Sequence, residues 1–517
     1  SGASRRADER GAGMTRGVVN AKVYHVGIVC REHLGGANTL VGMREGRSPS
    51  RRPSPGPRPG PPRGRVDPVR DRVAGHVAAM VASFPDLGLG VSFEEFEPRD
   101  AAFAHAIYDA VVRRWLTLEF LIGMGLSRPF RSLEPGVQSV LLCGAAQIAL
   151  FGKVPVHAAI DESVNIAKAR IRVGAGGIVN AGLRRVAELC GDRVERPADW
   201  MTRRDCVPLG DGRAMMLARP CLPEEDAKRI SVLCSIPKPL LERWGAAFGH
   251  VEASEVAIKT IGPAPTVVNA AGVANGLTQS DAASLLPHER SGSFVWVGER
   301  RALGTFLERT GTWVQDPASA EVVPTVAAAA GRDADAMRLV VDLCAGQGTK
   351  TRQLLRAFPN ATIVACEVDD DRLATLKRVF AGTARVKVLH AHHAPRACQD
   401  GGVGVADVVL LDVPCSNTGV LSRRVEARYR LDAKSLDELV KLQREIIAVG
   451  RPLLRSGGLL AYSTCSLEQE ENESQRDHIV SSCGGTLMVD RRTMPRGLPG
   501  EPFTRFNDGS YVAVARV

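Results

Sequence analysis

The sequence predicts a multi-domain chain: an all-α domain, then a small α+β unit, then a doubly wound α/β domain. Three observations carry this. At about 150 residues per domain, 517 residues leave room for three or four cores, and an apolar fraction of 44% can fill them. Between Val66 and about Cys190, apolar residues recur three and four apart, as in Phe103, Ile107 and Val111, which is helical spacing. From Met337 onward, short continuous apolar runs alternate with helical segments, the pattern of strands buried on both faces of a parallel sheet.

Residues 1–65 precede these domains and read as a disordered basic extension. Seven prolines lie between Pro49 and Pro62 among Arg51, Arg52, Arg58, Arg63 and Arg65, a composition that cannot bury enough surface to offset chain entropy. The charge is concentrated here. The whole chain carries 67 Lys+Arg against 57 Asp+Glu, a net of +10. Residues 1–65 hold 13 against 4, or +9, so the other 452 residues are left with +1. The basic total points to a polyanion such as nucleic acid. The folded part must then grip it through a local patch, for which Arg184-Arg185 and Arg423-Arg424 are candidates.

Residues 66–200 form the expected helical domain, cut into several helices by Pro98, Pro129, Pro135 and Pro155. Residues 201–330 read as a linker and small α+β subdomain, with a helical patch at Pro239 to Trp244 and a strand at Ser293 to Val297. Residues 331–517 form the α/β domain. No apolar run reaches the 18 or so residues of a membrane span. Twelve scattered cysteines without a CxxC pair suit a reducing compartment, and no secretory signal is evident. A cytoplasmic monomer without membrane attachment is expected.

Three strands of the last domain end in unusual sequences: Val340-Val341-Asp342-Leu343-Cys344-Ala345-Gly346-Gln347-Gly348-Thr349-Lys350, Leu410-Leu411-Asp412-Val413-Pro414-Cys415-Ser416, and Ala461-Tyr462-Ser463-Thr464-Cys465-Ser466. In a doubly wound sheet the carboxyl ends of the strands line one crevice, so these endings should converge. The Gly346-Gln347-Gly348 turn lets backbone approach a ligand closely before a helix begins. A dinucleotide fingerprint wants glycine where Thr351 stands, and a P-loop wants Gly-Lys where Thr349-Lys350 stands. A second strand, Ala361 to Cys366, ends at Glu367, whose carboxylate could accept from two ribose hydroxyls. The arrangement fits the adenosyl portion of S-adenosylmethionine. Cys366 reads as a small core-facing residue.

Cys415 and Cys465 each follow a strand end and adjoin a hydroxyl residue. A thiolate is a strong nucleophile at a soft carbon, and cytosine offers one at carbon 6. Attack there turns carbon 5 into a nucleophile for a sulfonium methyl. The chemistry needs a nucleophile, an acid near the ring nitrogen N3 and a group for proton removal, and Cys465, Asp412 and Cys415 can supply them. His390, His392 and His393 lack a completing carboxylate or thiol, so no metal is expected.

The motifs around Asp342 to Thr351, Asp412 to Gly419 and Ser463 to Ser466, the last followed by Glu468, Glu470, Glu471 and Asn472, resemble the RsmB/NSUN family of RNA cytosine-5 methyltransferases. The helical domain resembles the NusB-like RNA-binding domain through Asp100 to Ala104, Val154 to Glu162 and Ile178 to Arg185, which implies the bacterial RsmB type. The resemblance implies a Rossmann-like fold for the last domain and Cys465 as nucleophile, with Cys415 assisting product release and Asp412 facing both cofactor and base. It implies a cofactor cradle of Cys344, Ala345, Gly346, Gln347, Gly348, Thr349 and Lys350, and Glu367 on the ribose. His392 stands in the loop where the family places an acid against the adenine amine. The implied partner is RNA, small-subunit ribosomal RNA first and transfer RNA second. The alternatives are a non-catalytic RNA-binding or assembly protein with a decayed module and, weakened by Thr351, a nicotinamide oxidoreductase.

Overall fold

The computed structural model describes residues 66–88, 90–271, 277–394 and 406–517. The basic extension, residues 1–65, lies outside the described residues. Six helices open the described chain: α1 (Pro68–Ser83), α2 (Pro98–Arg113), α3 (Trp115–Gly123), α4 (Pro135–Leu150), α5 (Val156–Arg170) and α6 (Ala175–Leu189). Three of them begin on a proline, whose missing N–H costs nothing at a helix start, and Asp67 caps α1 by accepting from the Arg70 amide. Helix α4 is apolar nearly all round because it runs through the middle of the bundle, against α1, α2, α3, α5 and α6.

Next come two small sheets. Strands β1 (Cys190–Glu195), β2 (Cys206–Pro208) and β3 (Arg213–Leu217) form an antiparallel sheet in the order β1-β3-β2, which straddles residue 200. Helices α7 (Asp226–Cys234), α8 (Lys238–Phe248) and α9 (His250–Lys259) share its core around Trp244 and Met215. Strands β4 (Val267–Asn269), β5 (Leu285–Pro287), β6 (Ser293–Trp296) and β7 (Trp313–Val314) form the second sheet, ordered β5-β6-β4-β7.

The last sheet has seven strands: β8 (Leu339–Asp342), β9 (Thr362–Glu367), β10 (Val386–His390), β11 (Ala406–Asp412), β12 (Leu454–Thr464), β13 (Thr486–Thr493) and β14 (Ser510–Arg516). Their order is β10-β9-β8-β11-β12-β14-β13, parallel from β10 to β12 and antiparallel at β14. The chain therefore reverses its direction of winding between β8 and β11, the point at which such sheets bind ligands. Among the described residues, no helix is long and apolar enough to cross a membrane.

Three buried arginines join these units. Arg113 and Arg114 stand at the end of α2, and Arg428 follows the Pro-Cys-Ser segment of the α/β domain. Arg428 is fully buried and donates to the carbonyls of Arg113 (3.2 Å), Cys234 (3.1 Å), Thr260 (3.2 Å), Leu421 (3.1 Å) and Val425 (2.9 Å). Arg114 donates to Pro208 (2.9 Å) and Leu233 (3.1 Å), and Arg113 to Thr260, Gly262 and Ser422. Burial pushes the guanidinium groups of Arg114 and Arg428 down to about 10, still charged at neutral pH. Tyr429 enters the core of the helical bundle and donates to the Val112 carbonyl at 2.8 Å.

Replacing Arg428 by methionine leaves these carbonyls buried without donors. It is expected to cost about 3 kcal/mol, because hydrogen bonds to a buried charge cannot be replaced by water there. A urea titration read by tryptophan fluorescence should show unfolding beginning at lower denaturant.

Candidate active site

The three strand endings meet. β8 stops at Asp342, β9 at Glu367, β11 at Asp412 and β12 at Thr464, all on one edge of the parallel sheet, with Asp412 in register with Ser463. Sequence order scatters these residues, and the parallel topology gathers them.

The glycine turn after β8 leads into the helix Thr349–Ala357. Gly346 and Gly348 both have positive φ, +57° and +88°. A Cβ on Gly348 would lie 2.5 Å from the Phe380 ring, so only glycine fits. A Cβ on Gly346 would meet open space, so its requirement is conformational alone. Thr351, where a dinucleotide motif would have glycine, is buried and donates its hydroxyl to Asp342 Oδ2 at 2.7 Å. Asp342 Oδ1 is buried without a hydrogen-bond partner among the described residues, and burial pushes the Asp342 carboxyl up to about 7. At the end of β9, Glu367 Oε1 accepts from the amides of Val368 (2.8 Å) and Asp369 (3.0 Å) and pairs with Arg372 at 3.1 Å, which fixes the carboxylate. An open turn, an unsatisfied buried carboxyl oxygen and a fixed acid on the neighbouring strand are the features a nucleoside-bearing cation requires, so the residues fit S-adenosylmethionine.

The other members of the expected cradle are distributed as follows. Cys344 is half-buried, the Ala345 amide is engaged with the Cys366 carbonyl at 2.8 Å, and Gln347 is exposed. Thr349 opens the helix. Lys350 turns to Asp412: its Nζ lies 2.7 Å from Oδ2, and 3.2 Å from Ser319 Oγ. Burial opposes the Lys350 charge, but Asp412 outweighs it and holds the ammonium above its ordinary value. His392 is exposed and stacked on His390 at 4.7 Å between ring centroids, at the end of β10 beside Glu367.

Cys415 and Cys465 face each other with their sulfurs 3.3 Å apart. Both are half-buried and free. The hydrogen bond to Cys465 and burial raise the Cys415 thiol well above its ordinary value, so Cys415 retains its proton. Asp412 is gripped from both sides, by Lys350 and by the Ser463 hydroxyl on Oδ1 at 2.7 Å.

Sequence reasoning missed the residues that hold this pair in place. Asn417 takes a left-handed conformation (φ +63°), which asparagine tolerates better than most residues. Its amide oxygen lies 3.3 Å from Cys465 Sγ while its amide nitrogen donates to the Cys415 carbonyl at 2.8 Å. Glu471 is buried beneath both loops, accepting from the Ser416 amide (2.9 Å), the Ser466 hydroxyl (2.5 Å) and Gln443 (2.9 Å). Gly419 donates to the Cys465 carbonyl at 2.9 Å, and a Cβ there would lie 2.7 Å from that oxygen. Their sequence signal is membership of the motifs Asp412 to Gly419 and Ser463 to Asn472, which carry the resemblance but do not state these roles.

Fold and site together define an S-adenosylmethionine-dependent methyltransferase. Residues 331–492 match the family profile described as 16S rRNA methyltransferase RsmB/F, and residues 84–188 match the NusB family. The ribosomal RNA small subunit methyltransferase B of Thermus thermophilus is 30% identical over 375 residues, 72% of this chain and 77% of that protein. Its counterpart from Erwinia tasmaniensis is 27% identical over 427 residues, 80% of this chain and 90% of that one. The solved structure of PH0851 shares the fold, with a TM-score of 0.60 at 18% identity over 87% of this chain and 99% of that one. The chain belongs to the RsmB/F family of RNA methyltransferases, with a NusB domain ahead of its catalytic domain.

The cofactor end of the crevice can be probed at two positions. Gly348→Ala forces Phe380 aside and strains the turn, and calorimetric titration is expected to show S-adenosylmethionine bound roughly 10-fold more weakly or worse. For Asp342, the folded carboxyl sits near 7 and the ordinary value is 3.8, so its ionisation destabilises the ligand-free fold as pH rises between them. Asp342→Asn removes that penalty. Its stability relative to wild type is expected to grow from about pH 4 to about pH 7, by up to about 4 kcal/mol, and to level above, as read from thermal melts across that range.

Proposed function

We propose that the enzyme methylates carbon 5 of a cytosine in RNA, through a transient bond between Cys465 and carbon 6 of the base, and that the RNA is small-subunit ribosomal RNA, with transfer RNA as the second choice. The observation that carries this reading is the pair of thiols 3.3 Å apart on adjacent strand ends, beside a carboxylate clamped by Lys350 and Ser463.

The Cys465 thiolate adds to carbon 6, and the electron pair of the ring double bond moves toward carbon 5. Asp412, held between Lys350 and Ser463, relays a proton from the Lys350 ammonium to N3 as negative charge builds on the ring, and returns it when the bond to Cys465 breaks. S-adenosylmethionine, when bound, supplies an electrophilic methyl group on positively charged sulfur. The carbon 5 proton must then leave and the bond to Cys465 must break, restoring the aromatic ring and the thiolate.

Cys415 suits the proton-removal step for an electrostatic reason. Its thiol is held protonated by a hydrogen bond to Cys465, by burial and by the neighbouring Cys465 and Glu471 charges. Once Cys465 is bonded to carbon, its two contributions are removed while burial and Glu471 remain, so Cys415 gives up its proton more readily than before. Formation of the adduct thereby favours the base. The names of the relatives, small subunit methyltransferase B, support the choice of RNA.

Cys465→Ala is expected to give neither adduct nor methylation. Cys415→Ala is expected to accumulate a denaturant-resistant protein–RNA adduct and to lose turnover by on the order of 100-fold or more. Denaturing gels with labelled transcript and bisulfite sequencing of the same RNA check both. A persistent adduct in Cys465→Ala would overturn the assignment. Bisulfite sequencing of ribosomal and transfer RNA from cells with and without the protein identifies the target.

A further inference from the structure

The fold divides Arg423-Arg424, one of the two candidate RNA patches. Arg423 is held by two carboxylates and a carbonyl, with Nε on Asp508 at 2.6 Å, Nη1 on the Pro265 carbonyl at 2.9 Å and Nη2 on Asp316 at 3.3 Å. It ties the catalytic domain to its neighbours, and its charge is already neutralised by Asp508 and Asp316. Arg424 differs. Its backbone is fixed in the turn after the Pro-Cys-Ser segment, its N–H donating to Val420 at 2.9 Å and its carbonyl accepting from Ala427 at 3.1 Å. Its side chain is half-buried yet makes no ion pair or hydrogen bond among the described residues. Glu426, two residues on, is paired with Arg430 at 3.3 Å.

The charged and titratable groups around the Arg424 guanidinium are Glu426, the Cys465 thiol, Arg430 and Arg372. Arg372 in turn holds Glu367 at the end of β9. Arg424 therefore sits one turn beyond Gly419, whose N–H holds the Cys465 carbonyl at 2.9 Å, with its side-chain donors unused among the described residues. Burial and the two neighbouring arginines lower its pKa, as befits a cation that lacks its anion.

We infer that Arg424 binds a backbone phosphate of the RNA beside the target cytosine and so positions that base over Cys465. A cytosine whose carbon 6 reaches Cys465 brings its own flanking phosphates within a guanidinium's reach of that thiol. The planar fork of arginine matches a phosphate in two hydrogen bonds. A net charge of +1 on residues 66–517 leaves little bulk attraction, so individual unpaired cations must do the work. The inference rests on the reading of Cys465 as the residue that meets the base.

The test is equilibrium binding of transcribed small-subunit ribosomal RNA to the full chain across a series of salt concentrations, alongside calorimetric titration with S-adenosylmethionine. For Arg424→Gln the expected result is RNA affinity lowered by roughly 5- to 20-fold and a salt dependence shallower by about 0.7–0.9 in log–log slope, the value of one phosphate contact. Affinity for S-adenosylmethionine should stay within about twofold. Arg424→Lys, which keeps the charge and the fold if glutamine does not, should retain the wild-type slope with a smaller loss of affinity. An unchanged slope in Arg424→Gln overturns the proposal. So does weakened S-adenosylmethionine binding with normal RNA binding, which would give the guanidinium to the cofactor's carboxylate instead. Binding needs no turnover, so a failure of the cytosine reading appears separately, as methylation that survives Cys465→Ala.

Discussion

The arrangement of the whole molecule depends on charged guanidinium groups buried against backbone carbonyls. Taking an arginine out of water costs several kcal/mol unless its donors are met. In Arg114 and Arg428 the donors are met chiefly by carbonyls at element ends and turns, groups that would themselves be unsatisfied if the arginine left. Neither side can be replaced by water, because the junction is closed by Tyr429 and the apolar residues of the helical and linker units. The three units are thus held by an interaction that fails as a whole or not at all.

That junction reaches the chemistry along a short stretch of chain. Between Cys415 and Arg428 lie Asn417, Gly419 and Arg424, the first two in contact with Cys465 or its backbone. The far end of the stretch is anchored by Arg428 and Tyr429 in the helical domain's territory. The helical domain therefore fixes one end of the segment that carries Cys415 and the residues touching Cys465. A catalytic domain severed from it would keep its sheet and lose that constraint.

Much of this was legible in the sequence and some was not, for physical reasons. Parallel strands announce themselves as unbroken apolar runs, so the polar residues at their ends could be assigned to one crevice from residue order alone. The two small sheets were faint because strands of two to five residues carry too little periodicity. Lys350, expected at the cofactor, also pairs with Asp412, a partner that a lysine following a glycine turn does not announce in sequence. Arg428 reads in sequence as one more solvated cation. Burial decides its role, and burial of a polar residue depends on which distant carbonyls happen to lack donors. The same holds for Arg423 and Arg424, indistinguishable as letters and differently partnered because only one of them meets Asp508.

The unusual first motif also acquires a physical reading. Its turn lacks a proline and carries Thr349, yet the geometry a ligand needs survives, because the demanding position, Gly348, is kept where Phe380 forbids a side chain. Gln347 is exposed. Thr351 hydrogen-bonds one oxygen of the fully buried Asp342 and leaves the other without a partner among the described residues. A carboxyl kept near 7 beside a site for a cation is poised to ionise when that cation arrives, since a positive ligand lowers the cost of the negative charge.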